Sequence, residues 1–301
     1  MAGTGFQREM ESRRRSLGAD SECGTLREVL MHRPGSELDL VTERTYDEWL
    51  FKEPVDAGRL REQFDGLVEV YRQHGVFVHP VVGQRADRPN AMFVRDLLFM
   101  TTAGAIIARP GHEKRRGEEK AVAATLSSLG VPILLRVTGA GTFDGASGML
   151  VTRDIGIVGT STRTNREGAE QVMEQLRRMG VKHVLRCTVP LSQLHLDGIM
   201  TVVDRKVMAV NRWQMPFDLA RELEALGITL IPLATMDEVF QLSLNSVALA
   251  PGRVVMSAGS PDTRRALEAH GVEVVEVPTD EIRKAGGSMH CLTGVLRRDP
   301  L

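Results

Sequence analysis

From residue 26 onward, hydrophobic and polar positions repeat a pattern about every fifty residues. Two short apolar runs around a cluster of turn residues come first, as in a β-hairpin. Residues 97–100 pair in this way with 105–108, 148–151 with 155–159, 198–203 with 207–210, and 245–249 with 254–256. In the first unit, residues 26–31 stand as a strand that stops at His32-Arg33-Pro34-Gly35. A helical stretch follows each, at 56–74, 113–129, 166–179, 216–226 and 263–270. Its apolar residues recur at three and four, as in Ala169, Val172, Met173, Leu176 and Met179. Glycine stops each helix, at Gly75, Gly130, Gly180, Gly227 and Gly271. A third strand then follows, at 76–82, 131–137, 181–187, 228–233 and 272–277.

The unit is therefore strand, strand, helix, strand, about five times over. Such units cannot bury both faces alone, and closing them into a ring solves this. The predicted fold is α/β, a five-unit ββαβ pseudo-symmetric propeller with helices outside and short strands inside. A single catalytic domain is expected over 23–301, after a leader, 1–22, that is flexible or helical. A doubly wound Rossmann-type sheet also suits the alternation of β and α. Against it, no strand is followed by G-x-G-x-x-G or a Walker loop, and Gly139-Ala140-Gly141 leads into strand rather than helix. The longest connection, residues 34 to about 55, carries Trp49 and Phe51 and is a candidate lid.

Composition narrows the partners. The formal net charge of −1 gives no field that favours nucleic acid or an anionic membrane, and 4% aromatic content argues against stacking platforms for single strands. No apolar run reaches membrane-spanning length, and residues 1–15 lack a signal-peptide core. Cys23, Cys187 and Cys291 are an odd, widely spaced set, which argues against a disulfide framework or a CxxC metal site and fits a reducing cytoplasm. A homo-oligomer is compatible with an edge left by the leader or first unit.

In a ring, the segments before each hairpin converge on one end of the axis. Those segments carry Phe93-Val94-Arg95-Asp96, Phe143-Asp144-Gly145-Ala146-Ser147, His195-Leu196-Asp197-Gly198 and Gly286-Gly287-Ser288-Met289-His290-Cys291, with Arg163 just past the third hairpin. Each has a bland reading: a lone buried thiol, a solvated strand end, a surface Arg–Asp pair, an Asp favoured by a turn. A cysteine, a histidine and three carboxylates at one phase of a repeat are harder to explain that way. His195 and Asp197, two apart, are expected to face one side of an extended strand, and His290 to point away from Cys291.

These motifs resemble the guanidino-group-modifying enzymes of the pentein superfamily: arginine deiminases, dimethylarginine dimethylaminohydrolases, agmatine deiminases and amidinotransferases. Phe93-Val94-Arg95-Asp96 is similar to F-[TV]-[RE]-D, Phe143-Asp144-Gly145-Ala146 to the [ED]-G-G-D turn, and His195-Leu196-Asp197 to H-[LIV]-D. Gly287-Ser288-Met289-His290-Cys291-Leu292-Thr293 is similar to the nucleophile loop. The stretch from Ser161 to Glu170 and Arg109-Pro110-Gly111 resemble dimethylarginine hydrolase segments whose arginines contact a substrate carboxylate. Three positions depart: Asn90 replaces an aspartate of the dimethylarginine hydrolases, Arg95 a glutamate, and Ser147 the turn's second acid.

The resemblance implies Cys291 as nucleophile, His195 as acid and base, and Asp144 as its orienter. Asp96 and Asp197 would hold the guanidinium, Arg163 and Arg109 the carboxylate, and Phe93 and Asn90 would complete the substrate pocket. Carboxylates match the N–H groups of a planar guanidinium bidentately. A thiol ionised by the cationic substrate and His195 would attack, giving a covalent thiouronium intermediate. No metal or cofactor is implied. The expected activity is hydrolysis of arginine or a close derivative to a citrulline-like product and ammonia or an amine. An amidinotransferase, which shares every step to the intermediate, is the alternative, and Arg297-Arg298 after the loop suits it. A non-catalytic pentein scaffold is a third reading, against which His195 and Cys291 count.

Overall fold

The computed structural model describes residues 17–233 and 235–301. Four units follow the predicted order. In the second, β3 (Leu98–Met100) and β4 (Ala105–Ile107) form the hairpin, α2 (Glu118–Ser128) crosses over, and β5 (Ile133–Arg136) returns beside β4. The third has β6 (Gly148–Thr152), β7 (Ile155–Thr160), α3 (Arg166–Arg178) and β8 (His183–Thr188). The fourth has β9 (Met200–Asp204), β10 (Val207–Asn211), α4 (Phe217–Ala225) and β11 (Thr229–Leu233). After a short helix α5 (Met236–Phe240), the fifth has β12 (Val247–Ala250), β13 (Arg253–Ser257), α6 (Pro261–Glu268) and β14 (Glu273–Val277). In each sheet the middle strand is antiparallel to its hairpin partner and parallel to the strand after the helix, as in the pairs Val158 with Gly148 and Val158 with Arg186. A helical crossover is what a parallel neighbour requires.

The first unit lacked a hairpin partner in the sequence, and the C-terminus supplies it. After α7 (Asp280–Lys284) and α8 (Met289–Leu292), β15 (Gly294–Arg298) pairs antiparallel with β1 (Leu26–Met31). The other edge of β1 takes β2 (Phe77–Pro80) in parallel, after α1 (Ala57–Gln73). Five three-stranded sheets thus close a pseudo-symmetric ββαβ propeller. Its core comes from the inner strands and the buried faces of the helices, such as Leu60, Phe64, Leu67 and Tyr71 on α1. The five helix-stop glycines hold φ between 74° and 87°, the left-handed region that ends a helix.

Of the expected leader, residues 1–16 lie outside the described residues. Residues 17–22 are fastened to the ring. Gly18 N donates to Leu296 O at 2.8 Å and Glu22 N to Leu150 O at 2.9 Å. No helix among the described residues is long and apolar enough to cross a membrane.

Candidate active site

Each unit enters its first strand through a tight turn, and these turns meet at one end of the ring. They are Val94–Leu97 before β3, Gly145–Ser147 before β6, Leu196–Gly198 before β9, and α8 before β15. The fifth, residues 241–244 before β12, ends on Asn245. The first four are 3-10 or helical turns; where extended strand was expected at His195–Asp197, His195 is extended and a 3-10 turn begins at Leu196. The short, hydrogen-bonded turn fixes the side chains more firmly than a frayed strand end would, and Gly198 N donates back to His195 O at 3.3 Å.

The turns wall a cavity of about 160 Å³. Of the predicted residues, Asn90, Phe93, Asp96, Arg163, His195, Asp197 and Cys291 line it. Asp144 stands behind His195, fully buried. Arg109 is the exception: its guanidinium donates to the carbonyls of Gly139 and Gly141, which braces a turn outside the cavity. Arg115, which the sequence reading missed, lines the cavity instead, as do Asn245 and Gln193. Arg115 lay unread in a charged helical stretch. Asn245 occupied the phase of the repeat that singled out the other turns, and that phase was the signal for it.

Cys291 sits in the single turn of α8. Gly286, at φ 87°, leads into it, and Gly287 packs against the Phe93 ring so closely that a Cβ would come within 2.8 Å of Cζ. The helical turn also overturns the expected direction of His290. Its Nδ1 is 2.9 Å from Asp197 Oδ2, and its Nε2 faces Glu22 Oε2 at 3.6 Å. The same Asp197 oxygen accepts from Asn245 Nδ2 at 2.9 Å, and Cys291 Sγ lies 3.7 Å from it. Burial pushes the Cys291 thiol well above its ordinary range, and the charges of Asp197 and Asp96 push it further. Both effects favour the neutral thiol in the free site.

His195 Nε2 is 3.0 Å from Asp144 Oδ2, and its Nδ1 is 3.5 Å from Asp96 Oδ1. Burial acts to lower the pKa of His195, but Asp96 and Asp144 prevail and raise it. For Asp144, burial acts upward, while His195, Arg115 and Arg163 carry it below the usual carboxylate range. Gly111 N donates to Asp144 Oδ1 at 3.3 Å, and Thr164 Oγ1 donates to Ser147 Oγ at 2.9 Å while accepting from Asp144 N. Ser147 thus supports the turn through Thr164 where the family pattern has an acid.

Asp96 gives Oδ2 to Arg115, whose Nε and Nη2 donate to Glu118 Oε2 at 2.9 and 2.8 Å. Its Oδ1 is buried with no hydrogen-bond partner among the described residues. An orphaned acceptor at a cavity wall is a place for a ligand donor. Asp96, Asp144 and His195 also have ligand atoms within 4.8 Å of one another, a spacing a cation accepts, while Asp96 Oδ2 meets Arg115 and Asp144 Oδ2 meets His195.

Two departures from the family pattern acquire roles. Arg95 points away from the cavity and donates to the carbonyls of Leu98, Gly145 and Gly148 and to Glu22. It ties the turns before β3 and β6 to each other and to Glu22 and does not line the cavity, so it carries no information on substrate. Asn90 Nδ2 donates to Trp49 O at 2.6 Å, holding the connection at 34–55 over the site, from which Leu50 and Lys52 reach the cavity. Arg297 and Arg298 bind Glu28 and the carbonyls of Gly24 and Ala248, serving ring closure.

The chain is similar to known proteins. The family model described as N,N dimethylarginine dimethylhydrolase, eukaryotic, matches residues 46–298. The N(G),N(G)-dimethylarginine dimethylaminohydrolase of Streptomyces coelicolor is 30% identical over 282 residues, which is 90% of this chain and 97% of that one. The enzyme of the same name from Pseudomonas aeruginosa is 32% identical over 207 residues, 68% of this chain and 76% of its own. An arginine deiminase of Rhodococcus jostii is 24% identical, with 95% of this chain and 98% of that one covered. A solved structure of a mutant Pseudomonas aeruginosa dimethylarginine dimethylaminohydrolase complexed with citrulline superposes with a TM-score of 0.73 at 25% identity, covering 91% of this chain and all of the other. The chain belongs to the dimethylarginine dimethylaminohydrolase family, within the pentein superfamily of guanidino-modifying enzymes.

Proposed function

We propose that the protein hydrolyses the guanidino group of arginine or a close derivative through a covalent adduct on Cys291. One observation carries this reading: a buried thiol, a histidine held between carboxylates, and two carboxylates, one with an unspent oxygen, share one small cavity. Asp96 has its orphaned Oδ1, and Asp197, whose Oδ2 meets His290 and Asn245, lines the same cavity. A planar guanidinium between them would present its central carbon to Sγ.

The same cation supplies the missing activation. Asp96 and Asp197 are what hold the thiol neutral beyond burial itself. A guanidinium bound between them offsets their charge, so the thiol loses its proton to solvent as the substrate settles. The thiolate attacks the guanidino carbon. His195, kept protonated by Asp96 and Asp144, gives its proton to the departing amine, and the C–N bond breaks to leave the thiouronium. His195, now neutral, takes a proton from water as that water attacks the same carbon. Expulsion of the thiolate releases a ureido product. Arg163 lines the cavity and makes no ion pair with the described residues, which suits a substrate carboxylate.

The test is turnover of arginine and its methylated forms, each with and without glycine, with products resolved by mass spectrometry. A citrulline-like product without acceptor supports hydrolysis. Ornithine formed only with glycine would replace this reading with amidino transfer, and turnover by Cys291→Ala would remove the nucleophile.

A further inference from the structure

The sulfur of Cys291 has a neighbour that the motifs did not single out. Asn245 is 2% exposed and closes a turn in which Leu242 takes φ 62°, so the chain holds it firmly against α8. Its Nδ2 lies 3.1 Å from Cys291 Sγ and 2.9 Å from Asp197 Oδ2. Its Oδ1 accepts from the main-chain N–H of His290 at 3.0 Å and of Cys291 at 3.3 Å.

These four contacts fix which way the amide faces. Main-chain N–H groups can only donate, so the oxygen must meet them and the NH2 must meet the sulfur and the carboxylate. Turned over, the amide would set donors against donors and its oxygen against the Asp197 carboxylate. Each hydrogen of the NH2 has one acceptor. The spacing matters because Sγ and Asp197 Oδ2 are only 3.7 Å apart, and ionisation of the thiol would place two negative charges there.

We propose that Asn245 is a further catalytic residue, which donates one N–H to the Cys291 thiolate and the other to Asp197, and so permits both charges at that separation. The role is electrostatic stabilisation by a donor oriented in advance, directed at the sulfur when it attacks and again when it leaves. The α8 backbone aims the donor, because the two N–H groups that grip Oδ1 belong to Cys291 and the residue before it.

This inference rests on Cys291 being the nucleophile, but it is testable without substrate. Iodoacetamide is neutral and reacts with the thiolate, so its rate at Cys291 against pH reads the ionisation directly. Peptide mass spectrometry separates Cys291 from buried Cys23 and Cys187. Asn245→Ala is expected to slow alkylation at a given pH by about tenfold or more, the usual worth of a hydrogen bond to a charged group. Asn245→Asp keeps an acceptor for both main-chain N–H groups and replaces the donor by a negative charge, and it is expected to slow alkylation further. Alkylation of both variants at the wild-type rate would overturn the proposal. If Cys291→Ala retained turnover, the nucleophile reading would fail by itself, whatever the alkylation rates showed.

Discussion

Asp144 holds Nε2 of His195 at 3.0 Å from a position of complete burial, so the imidazole presents only its Nδ1 side, 3.5 Å from Asp96, toward the cavity. The pair fixes both the ring's orientation and its proton. Asp144→Asn keeps the shape and removes one of the two carboxylates that raise His195. Turnover is expected to fall about a hundredfold or more, the ordinary worth of a placed general acid and base. In the proposed reaction His195 acts first as an acid, so activity is expected to decline as pH rises through the pKa of that group. That decline is expected to move to lower pH in the variant. A pH profile of kcat/KM checks this, and an unmoved alkaline limb would show that Asp144 does not set the proton affinity of His195.

The two arginines singled out for a carboxylate separate cleanly. Arg163 lines the cavity, while Arg109 braces the turn at 139–141. Arg163→Ala is expected to raise KM for arginine about tenfold or more and to change turnover of agmatine, which has no carboxylate, far less. Arg109→Ala is expected to leave KM for arginine nearly unchanged and to lower the melting temperature. Equal losses on both substrates in Arg163→Ala would count against a carboxylate contact.

The contrast shows what the sequence held. The fold was legible because hairpin, helix, glycine stop and third strand recur, and each of these signals is local. Phase within the repeat then singled out Asp96, Asp144, His195 and Cys291. What escaped depended on pairing between distant units. Nothing local marks Arg115 as the partner of Asp96, or the C-terminal strand as the partner of β1. The direction of His290 was misjudged because α8 is a single helical turn, too short for periodicity to register. Arg109 and Arg115 are six positions apart in one basic stretch, and only the tertiary fold turns the second inward.

Gly287 has a steric reason to be glycine. A Cβ there would meet three atoms of the Phe93 ring, and Phe93 lies on the turn that carries Asp96. Neither the ring, which is 4% exposed, nor α8 has room to yield without moving Asp96 or Cys291. Gly287→Ala is therefore expected to cost about 1–3 kcal/mol of stability, as overpacking does, and to lower kcat more than that loss of folded protein explains. Urea unfolding together with kinetics on the folded fraction checks it. Full kcat in the folded fraction would mean that the strain is absorbed away from the site.

Glu22 links stability to the axis of the ring. Burial acts to raise its pKa, but the charges of Arg95, His290 and Arg298 take it down to about 2 from an ordinary 4.5. A depressed carboxylate stabilises the fold above the unfolded value and loses that contribution as pH falls through the folded one. His290 is raised above 6.5, against the effect of burial, by Asp197 and Glu22, so its contribution is complete below 6.5 and is lost as pH rises through its folded value. In Glu22→Gln both contributions weaken. The deficit against wild type is expected to be largest between about pH 4.5 and 6.5, at most about 3 kcal/mol from the Glu22 shift. It should shrink toward zero near pH 2 and shrink in part on the alkaline side. Urea unfolding midpoints measured across pH decide the matter, and a deficit independent of pH would mean that Glu22 stabilises the ring by packing alone.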